Sequence, residues 1–262
     1  MLSFSSSPLA FNTLPKVVAS RHGFWTSLEF YTMAKSHTQV LFQHVCHGWF
    51  LSVFVEKLAK SGANMVVISN SSRRASVTHE KMRSMGFDPS LFLGAITSGE
   101  LTHQYLERRD DPWFASLGRS CIHMTWNDRG AISLDGLGLK VVDNIADAEF
   151  ILAHGTEALG VPSGSAVSKN LDELEKILEQ CAARKIPMVV ANPDYVTVEA
   201  RDLRVMPGTL AAKYEQLGGE VKWMGKPGKV TIITLFYSIS FFNCLFSFVK
   251  CASKRGASIG SF

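Results

Sequence analysis

Residues 65–74 read M-V-V-I-S-N-S-S-R-R, and this stretch decides the fold. Met65–Ser69 is a short apolar run rich in β-branched residues, which predicts a buried strand. It leads into the polar residues Asn70–Ser72, which are typical of a loop at the carboxyl end of a strand. The residues that follow, up to Met85, fit a helix that Gly86 ends. The stretch therefore predicts the strand, loop and helix of an α/β protein.

The same alternation continues along the chain. Further strands are predicted at Gly94–Ser98, Cys121–Trp126, Leu139–Val142, Phe150–Ala153, Pro187–Ala191 and Val221–Trp223. Helices are predicted from Glu100 to about Arg108 and over Leu210–Leu217. Strands that alternate with helices predict a mainly parallel sheet, in which ligands gather at the carboxyl ends of strands. Ser69, Asn70 and the loop at Lys226 are therefore candidate site positions.

One further helix has a clear amino-terminal signal. Asn170 can cap it, and Glu173 at the third helical position completes a near capping box. Apolar residues at helical spacing then form one face: Leu171, Leu174, Ile177, Leu178 and Cys181. The pattern predicts an amphipathic helix packed on the sheet.

Composition narrows the class of protein. The chain has 262 residues, of which 46% are hydrophobic and 19% are charged, as expected for a globular protein of one large or two small domains. Its net charge of +4 is spread along the chain, which argues against a nucleic-acid partner. The five cysteines are scattered and form no C-x-x-C pair, which argues against a disulfide framework or a zinc site and favours a reducing compartment.

Several common enzyme motifs are absent from the sequence. Gly225 and Lys226 are followed by Pro227, so they do not form a nucleotide-binding P-loop. No G-x-S-x-G nucleophile elbow and no H-E-x-x-H zinc helix occurs. These absences exclude several families of hydrolase and nucleotide-binding protein.

Val66–Arg74 resembles the second signature of the haloacid-dehalogenase-like hydrolases, in which a strand ends in Ser or Thr, often followed by Asn. The resemblance implies that the Ser69 hydroxyl binds phosphate with Asn70 beside it. Gly225-Lys226-Pro227 resembles the third signature of that family. There, a lysine balances the negative charge of phosphate and carboxylate, so the resemblance gives Lys226 both a catalytic and a phosphate-binding role.

The sequence between these two signatures is similar to subfamily IIA, in which a large α/β cap is inserted at this point. Asn192, Pro193 and Asp194 resemble the N-P-D turn of that cap, and Pro207–Leu210 matches the Pro-Gly turn where the chain returns to the core. Segments such as Thr97–Glu100 are similar to a plant-like branch of the subfamily. The resemblance implies an incomplete Rossmann-like parallel-sheet core with an inserted cap.

The implied organisation has five parts. A leader-like or unrelated segment covers 1–55, the first part of the core 56–116, the cap 117–205, the second part of the core 206–229, and an apolar and basic tail 230–262. Without the strand that carries the family's aspartates, we expect open edges in the core sheet and a poorly folded core beside a better-folded cap.

The family's reaction is implied to be Mg²⁺-dependent hydrolysis of a small phosphorylated metabolite through an aspartyl-phosphate. However, no aspartate precedes Asp88, and no acidic residue follows Lys226. We therefore expect a chain truncated at both ends of the catalytic core, without hydrolytic activity, without metal ligands and without bound Mg²⁺. Two alternatives stay open, a non-catalytic protein that binds a phosphate ligand and a membrane-anchored interaction protein.

The two ends of the chain leave alternatives open. Residues 1–28 carry no acidic residue and resemble an organellar transit peptide or an unstructured leader, so the location is cytoplasmic, plastid or another organelle. Thr231–Val249 is apolar, Phe-rich and followed by basic residues. It is interpreted either as a membrane anchor or as intron sequence translated past a missed exon junction. Comparison of genomic DNA with transcripts separates these two interpretations.

Overall fold

The structure is a computed structural model that describes residues 28–33, 39–42, 48–62, 64–127, 130, 132–199, 202–226 and 228. Two segments with open interpretations lie outside these residues. They are 1–28, Leu28 excepted, which is interpreted as a transit peptide or leader, and Thr231–Val249, which is interpreted as a membrane anchor or translated intron. Within the described residues, no helix is both long enough and apolar enough to cross a membrane.

The helices and strands that the sequence predicts are present, with ends that differ by a few residues, and the structure adds further elements. The described helices are α1 (Gly48–Lys60), α2 (Ala75–Ser84), α3 (Ser98–Arg108), α4 (Pro112–Ser116), α5 (Leu171–Ala183) and α6 (Pro207–Gln216). The described strands are β1 (Leu28–Met33), β2 (Gln39–Phe42), β3 (Asn64–Ser69), β4 (Gly94–Thr97), β5 (Ser120–Thr125), β6 (Lys140–Val141), β7 (Phe150–Ala153), β8 (Ala158–Gly160), β9 (Ala166–Ser168), β10 (Met188–Val190), β11 (Val196–Glu199), β12 (Asp202–Val205) and β13 (Val221–Trp223).

The strands form a small sheet, a large sheet and a separate hairpin. The small sheet has the order β2-β1-β3-β4. The large sheet has the order β13-β10-β7-β5-β8-β9, and β6 pairs with β5. Strands β5, β6, β7, β10 and β13 run parallel, whereas β8 and β9 are antiparallel additions. The prediction of an α/β protein with a mainly parallel sheet is confirmed.

The small sheet differs from the expected open core in one respect. Strand β4 runs parallel to β3 on one side, with Ser69 opposite Thr97. On the other side β1 pairs with β3 in the antiparallel direction, with Leu28 opposite Ser69 and Met33 opposite Asn64. The expectation of an open edge along β3 is therefore wrong, because a strand from the leader-like segment forms the missing backbone hydrogen bonds.

The parallel strands of the large sheet are joined by connections that contain helices. The connection from β7 to β10 includes β8, β9 and α5, and α6 precedes β13, which pairs with β10. The capping box of α5 is present, since Asn170 Oδ1 accepts a hydrogen bond from the Glu173 backbone and Glu173 Oε2 accepts one from the Asn170 backbone. One apolar cluster joins these helices to the sheet through Leu174, Leu178, Cys181, Leu210 and Tyr214. Residues 207–223 thus pack with the large sheet.

A second apolar cluster joins the two sheets. From the small sheet and the helices beside it, the cluster includes Val66, Ile68, Ile96, Leu101, Leu106 and Phe114. From the large sheet and the turn after it, the cluster includes Cys121, Phe150, Leu152, Val189 and Met224. Because these side chains share one core, the carboxyl end of β3 is held close to the large sheet.

Candidate functional site

The loop after β3 is fixed against the start of α3. The Ser69 side chain is buried, and its Oγ accepts a hydrogen bond from the Ser71 backbone at 3.2 Å. The Ser71 carbonyl accepts hydrogen bonds from Ser98 Oγ at 3.0 Å and from the Gly99 backbone at 2.9 Å. A Cβ atom at Gly99 would lie 2.0 Å from the Ser72 carbonyl oxygen, so only glycine permits this close approach.

Glu100 holds the far end of the same loop. Its carboxylate accepts hydrogen bonds from Arg74 Nε at 2.7 Å and from the Ala75 backbone at 3.1 Å. Helix α2 has no side-chain cap from Arg74, so Glu100 caps this helix from a neighbouring one. Burial opposes ionisation of Glu100, but these hydrogen bonds outweigh it and lower the pKa of the carboxyl. The loop between Ser69 and Ala75 is thus held at both ends.

The Asn70 amide bridges three segments that are distant in sequence. Its Oδ1 accepts a hydrogen bond from the Lys226 backbone at 2.8 Å. Its Nδ2 donates to Asp194 Oδ1 at 2.8 Å and, at 3.4 Å, to the Lys226 carbonyl. Both polar atoms of the side chain are therefore used to hold protein groups. The sequence indicates Asn70 only as a neighbour of a phosphate, and only the tertiary contacts reveal the bridge.

The N-P-D turn is ordered by its own residues and by α6. Asn192 Oδ1 accepts a hydrogen bond from the Asp194 backbone at 3.0 Å. The Gly208 backbone donates to the Asp194 carbonyl at 2.9 Å, and a Cβ atom at Gly208 would lie 2.3 Å from the Pro193 carbonyl oxygen. The Pro-Gly turn predicted from sequence therefore packs directly against the N-P-D turn.

Gly225 lies where the three segments meet. Its φ angle is +118°, a backbone conformation that L side chains rarely adopt. A Cβ atom there would lie 2.8 Å from Asn70 Oδ1 and 2.9 Å from both Pro193 Cδ and Ser98 Cβ. Sequence reasoning did not select Gly225 as a site residue, although its position directly before Lys226 was a usable signal.

The structure brings the predicted site residues to one place, the carboxyl end of β3. These residues are Ser69, Asn70, Asn192, Pro193, Asp194 and Lys226. A hydroxyl, an ammonium group and loop backbone N–H groups at a strand end are the donors that bind phosphate. Whether these residues carry the roles that the resemblance implies stays a prediction.

The residues described at this site do not fit a magnesium ion. Mg²⁺ prefers carboxylate and carbonyl oxygens in near-octahedral geometry. Asp194 is the carboxylate in contact with Asn70, and it accepts a hydrogen bond from that amide. In the part of the chain that the structure describes, no three His, Cys, Asp or Glu side chains are grouped so that they could hold a metal.

Three of the five cysteines, Cys46, Cys244 and Cys251, lie outside the described residues. The other two cysteines, Cys121 and Cys181, are buried and unpaired. Burial raises the pKa of the Cys121 thiol to about 12 and that of Cys181 to about 11, as expected for small core residues.

Solved structures with a similar fold include a hydrolase of the haloacid dehalogenase-like family from Brucella suis 1330. It matches with a TM-score of 0.55 and 22% identity, over 78% of this chain and 66% of that chain. A p-nitrophenyl phosphatase from Archaeoglobus fulgidus matches with a TM-score of 0.47 and 22% identity, over 71% of this chain and 65% of that chain. A glycerol phosphate phosphatase from Mycobacterium tuberculosis, in complex with calcium, matches with a TM-score of 0.44 and 17% identity, over 66% of this chain and 46% of that chain.

The first of these matches shows that the chain shares its fold with that hydrolase. The chain spans only 66%, 65% and 46% of the lengths of the three solved proteins. No protein-family model and no curated protein matches the sequence.

Proposed function

We propose that this chain belongs to a lineage of Mg²⁺-dependent phosphatases related to subfamily IIA, and that it binds a small phosphomonoester without hydrolysing it. The observation that carries the proposal is the position of Lys226. Both polar atoms of the Asn70 side chain hydrogen-bond to the backbone of Lys226, and Asn70 directly follows Ser69. A basic residue is thereby kept beside the carboxyl end of β3, where Ser69 supplies a hydroxyl.

Phosphate binding is supported by the rigidity of this region. The loop after Ser69 is held by Glu100 at one end and by contacts with Ser98 and Gly99 at the other. Because the donors are fixed before a ligand arrives, little conformational entropy is lost on binding. The fold shared with a hydrolase of the haloacid dehalogenase-like family agrees with this proposal.

We expect no turnover because the described site offers no carboxylate that is free to act as a nucleophile. Covalent phosphoryl transfer needs a nucleophile, and removal of a single essential group from such a site costs orders of magnitude in rate. No aspartate precedes Ser69 in the sequence. At the described site, the Asp194 carboxylate is engaged by Asn70. Among the residues described at this site, a bound phosphomonoester would therefore meet donors and a cation but no available carboxylate nucleophile.

Two measurements on the full chain test the proposal. With p-nitrophenyl phosphate and Mg²⁺, we expect no release of p-nitrophenol above the level of the Ser69→Ala variant. With inorganic phosphate, calorimetry should detect binding that Ser69→Ala and Lys226→Met each weaken by about tenfold, as expected for the loss of one hydrogen bond to a charged group.

Matched controls are available in the same chain. Ser84→Ala removes an exposed hydroxyl on α2, and Lys176→Met removes an exposed ammonium group on α5. Neither should change phosphate affinity. Mg²⁺-dependent turnover that Ser69→Ala abolishes would contradict the claim of inactivity, and equal phosphate affinity in all variants would contradict the binding site.

A further inference from the structure

A pair of buried histidines lies outside the proposed phosphate site. His123 is on β5, and His154 directly follows β7, the neighbouring strand. His123 Nε2 lies 3.1 Å from His154 Nδ1, and the rings meet edge to face at 86°. Both residues are only 4% exposed. A direct hydrogen bond thus joins the two imidazole rings inside the large sheet.

The pair lies where the two sheets meet. A small cavity borders His154, and residues of both sides form its wall, including Ser72, Gly99, His103, Ser133 and Leu137. Ser72, Gly99 and His103 come from the loop after β3 and from α3, next to the small sheet. In the same region Trp126 Nε1 donates to Ser72 Oγ at 3.1 Å across the junction. His154 therefore faces α3 across a small cavity at the junction with the large sheet.

The surroundings of the pair favour neutral rings. Burial lowers the pKa of His123 to about 4. Burial also lowers the pKa of His154, and the nearby His123 and His103 rings lower it further. On the side of β8, a Cβ atom at Gly160 would lie 3.1 Å from His123 Nδ1 and 3.4 Å from Val141 Cγ1, and neither Gly160 nor Val141 carries a charge.

The charged groups on the α3 side offer no strong counter-ion. Burial and then Arg74 lower the pKa of His103, and Glu107 and Glu100 oppose them. Glu100 already accepts two hydrogen bonds from Arg74, so its charge is largely compensated. A proton added to His154 would thus create a buried positive charge with no acidic residue among those that line the cavity.

The hydrogen bond itself also limits protonation. In a neutral pair, one ring donates its N–H and the other accepts with its lone pair. If both rings were protonated, two N–H groups would face each other at this distance. The pair can therefore bind protons fully only if the rings separate.

We propose that the His123–His154 pair makes the junction between α3 and the large sheet acid-labile, so that proton uptake by the pair opens this contact. An exposed histidine titrates near pH 6.5, which is above the pKa of either ring in the closed junction. Between pH 6.5 and the lower pKa values of the buried rings, the open form of the junction therefore binds more protons than the closed form. Stability of the junction is complete above about pH 6.5 and falls as the pH decreases towards about 4.

Hydrogen exchange of the full chain tests this proposal. Between about pH 7.5 and about pH 5, after correction for intrinsic exchange, the open population should rise roughly 30-fold for each histidine that titrates. We expect the increase in α3, in β5, which carries His123, and in β7, which His154 directly follows. Helix α5, on the other side of the large sheet core, should change much less.

The His123→Gln, His154→Asn double variant supplies the decisive comparison. Its amides occupy the positions of Nε2 and Nδ1 but do not titrate, so the acid-induced increase should disappear. His79→Asn, on α2 and outside this cluster, is the matched control and should keep the full increase. An unchanged response in the double variant, or no response in the native chain, would overturn the proposal.

A measurement on the native chain covers the case in which the double variant does not fold. NMR titration of the histidine ring protons should show two of the eight histidines still neutral at about pH 5. If all eight titrate near pH 6.5, the proposal is wrong.

Discussion

The two sheets complete their central strands in different ways. In the large sheet, β7 lies between β5 and β10, and both neighbours run parallel to it. In the small sheet, β3 has one parallel neighbour, β4, and one antiparallel neighbour, β1. Both strands are paired on two sides, so the backbone hydrogen bonds alone do not distinguish them.

The direction of the neighbouring strand decides what reaches the site. A parallel neighbour brings its carboxyl end, and the loop after it, beside the carboxyl end of β3. The antiparallel β1 instead places its first residue, Leu28, opposite Ser69. A strand can therefore complete a sheet without bringing the loop at its own carboxyl end to the site.

The largest expected effect tests whether the two sheets are one cooperative unit. Phe150 is fully buried in the cluster that both sheets share. Phe150→Ala should lower the free energy of unfolding by about 3–5 kcal/mol, because it leaves a cavity in that cluster. Denaturant unfolding measures the loss, and hydrogen exchange should show faster exchange in β3 as well as in β7. If hydrogen exchange in β3 does not change, the two sheets do not unfold as one cooperative unit.

An intermediate effect is expected at the bridge between the sheets. Asn70→Ala removes hydrogen bonds to the Lys226 backbone and to Asp194, and should cost about 1–3 kcal/mol. Asn70→Asp should cost more at neutral pH, because it places a second carboxylate beside Asp194. Both variants should also weaken binding of inorganic phosphate in calorimetry. If both variants bind phosphate as the native chain does, Asn70 does not position Lys226.

The smallest effect is expected within the large sheet alone. Asn170→Ala removes the cap of α5 and should cost about 1 kcal/mol in denaturant unfolding. Asn144 caps only a one-turn 3-10 helix, so Asn144→Ala is a matched control with a smaller expected cost. Neither variant should alter exchange in β3. Equal losses in the two variants would argue that the capping box adds little to α5.

The sequence predicted the elements whose patterns are long or sharply bounded. Met65–Ser69 and Phe150–Ala153 are apolar runs between polar residues, and both are strands in the structure. It did not predict β8, β9 or the hairpin of β11 and β12. Unlike Phe150–Ala153, these strands are not continuous apolar runs, because glycine, serine, threonine or charged residues interrupt them. Nor did it predict β1 and β2, because residues 1–55 show no clean periodicity.

For the site, the residue types were evident in the sequence, but their contacts were not. Ser69, Lys226 and the turn at Asn192–Asp194 were selected from their motifs. The amide of Asn70 was expected beside a phosphate, whereas its two polar atoms bind Lys226 and Asp194. Such a bridge joins residues far apart along the chain, and no local pattern encodes it.

By itself the sequence determined the class of fold, the residue types that gather at the end of β3, and the absence of any aspartate before Asp88. These follow from residue type and short-range spacing, which act before the chain is packed. Only the tertiary structure decided that β1 pairs with β3 in the antiparallel direction, that Asn70 joins three segments, and that His123 meets His154. These depend on which distant segments share an edge or a core, and a strand edge accepts either direction of partner.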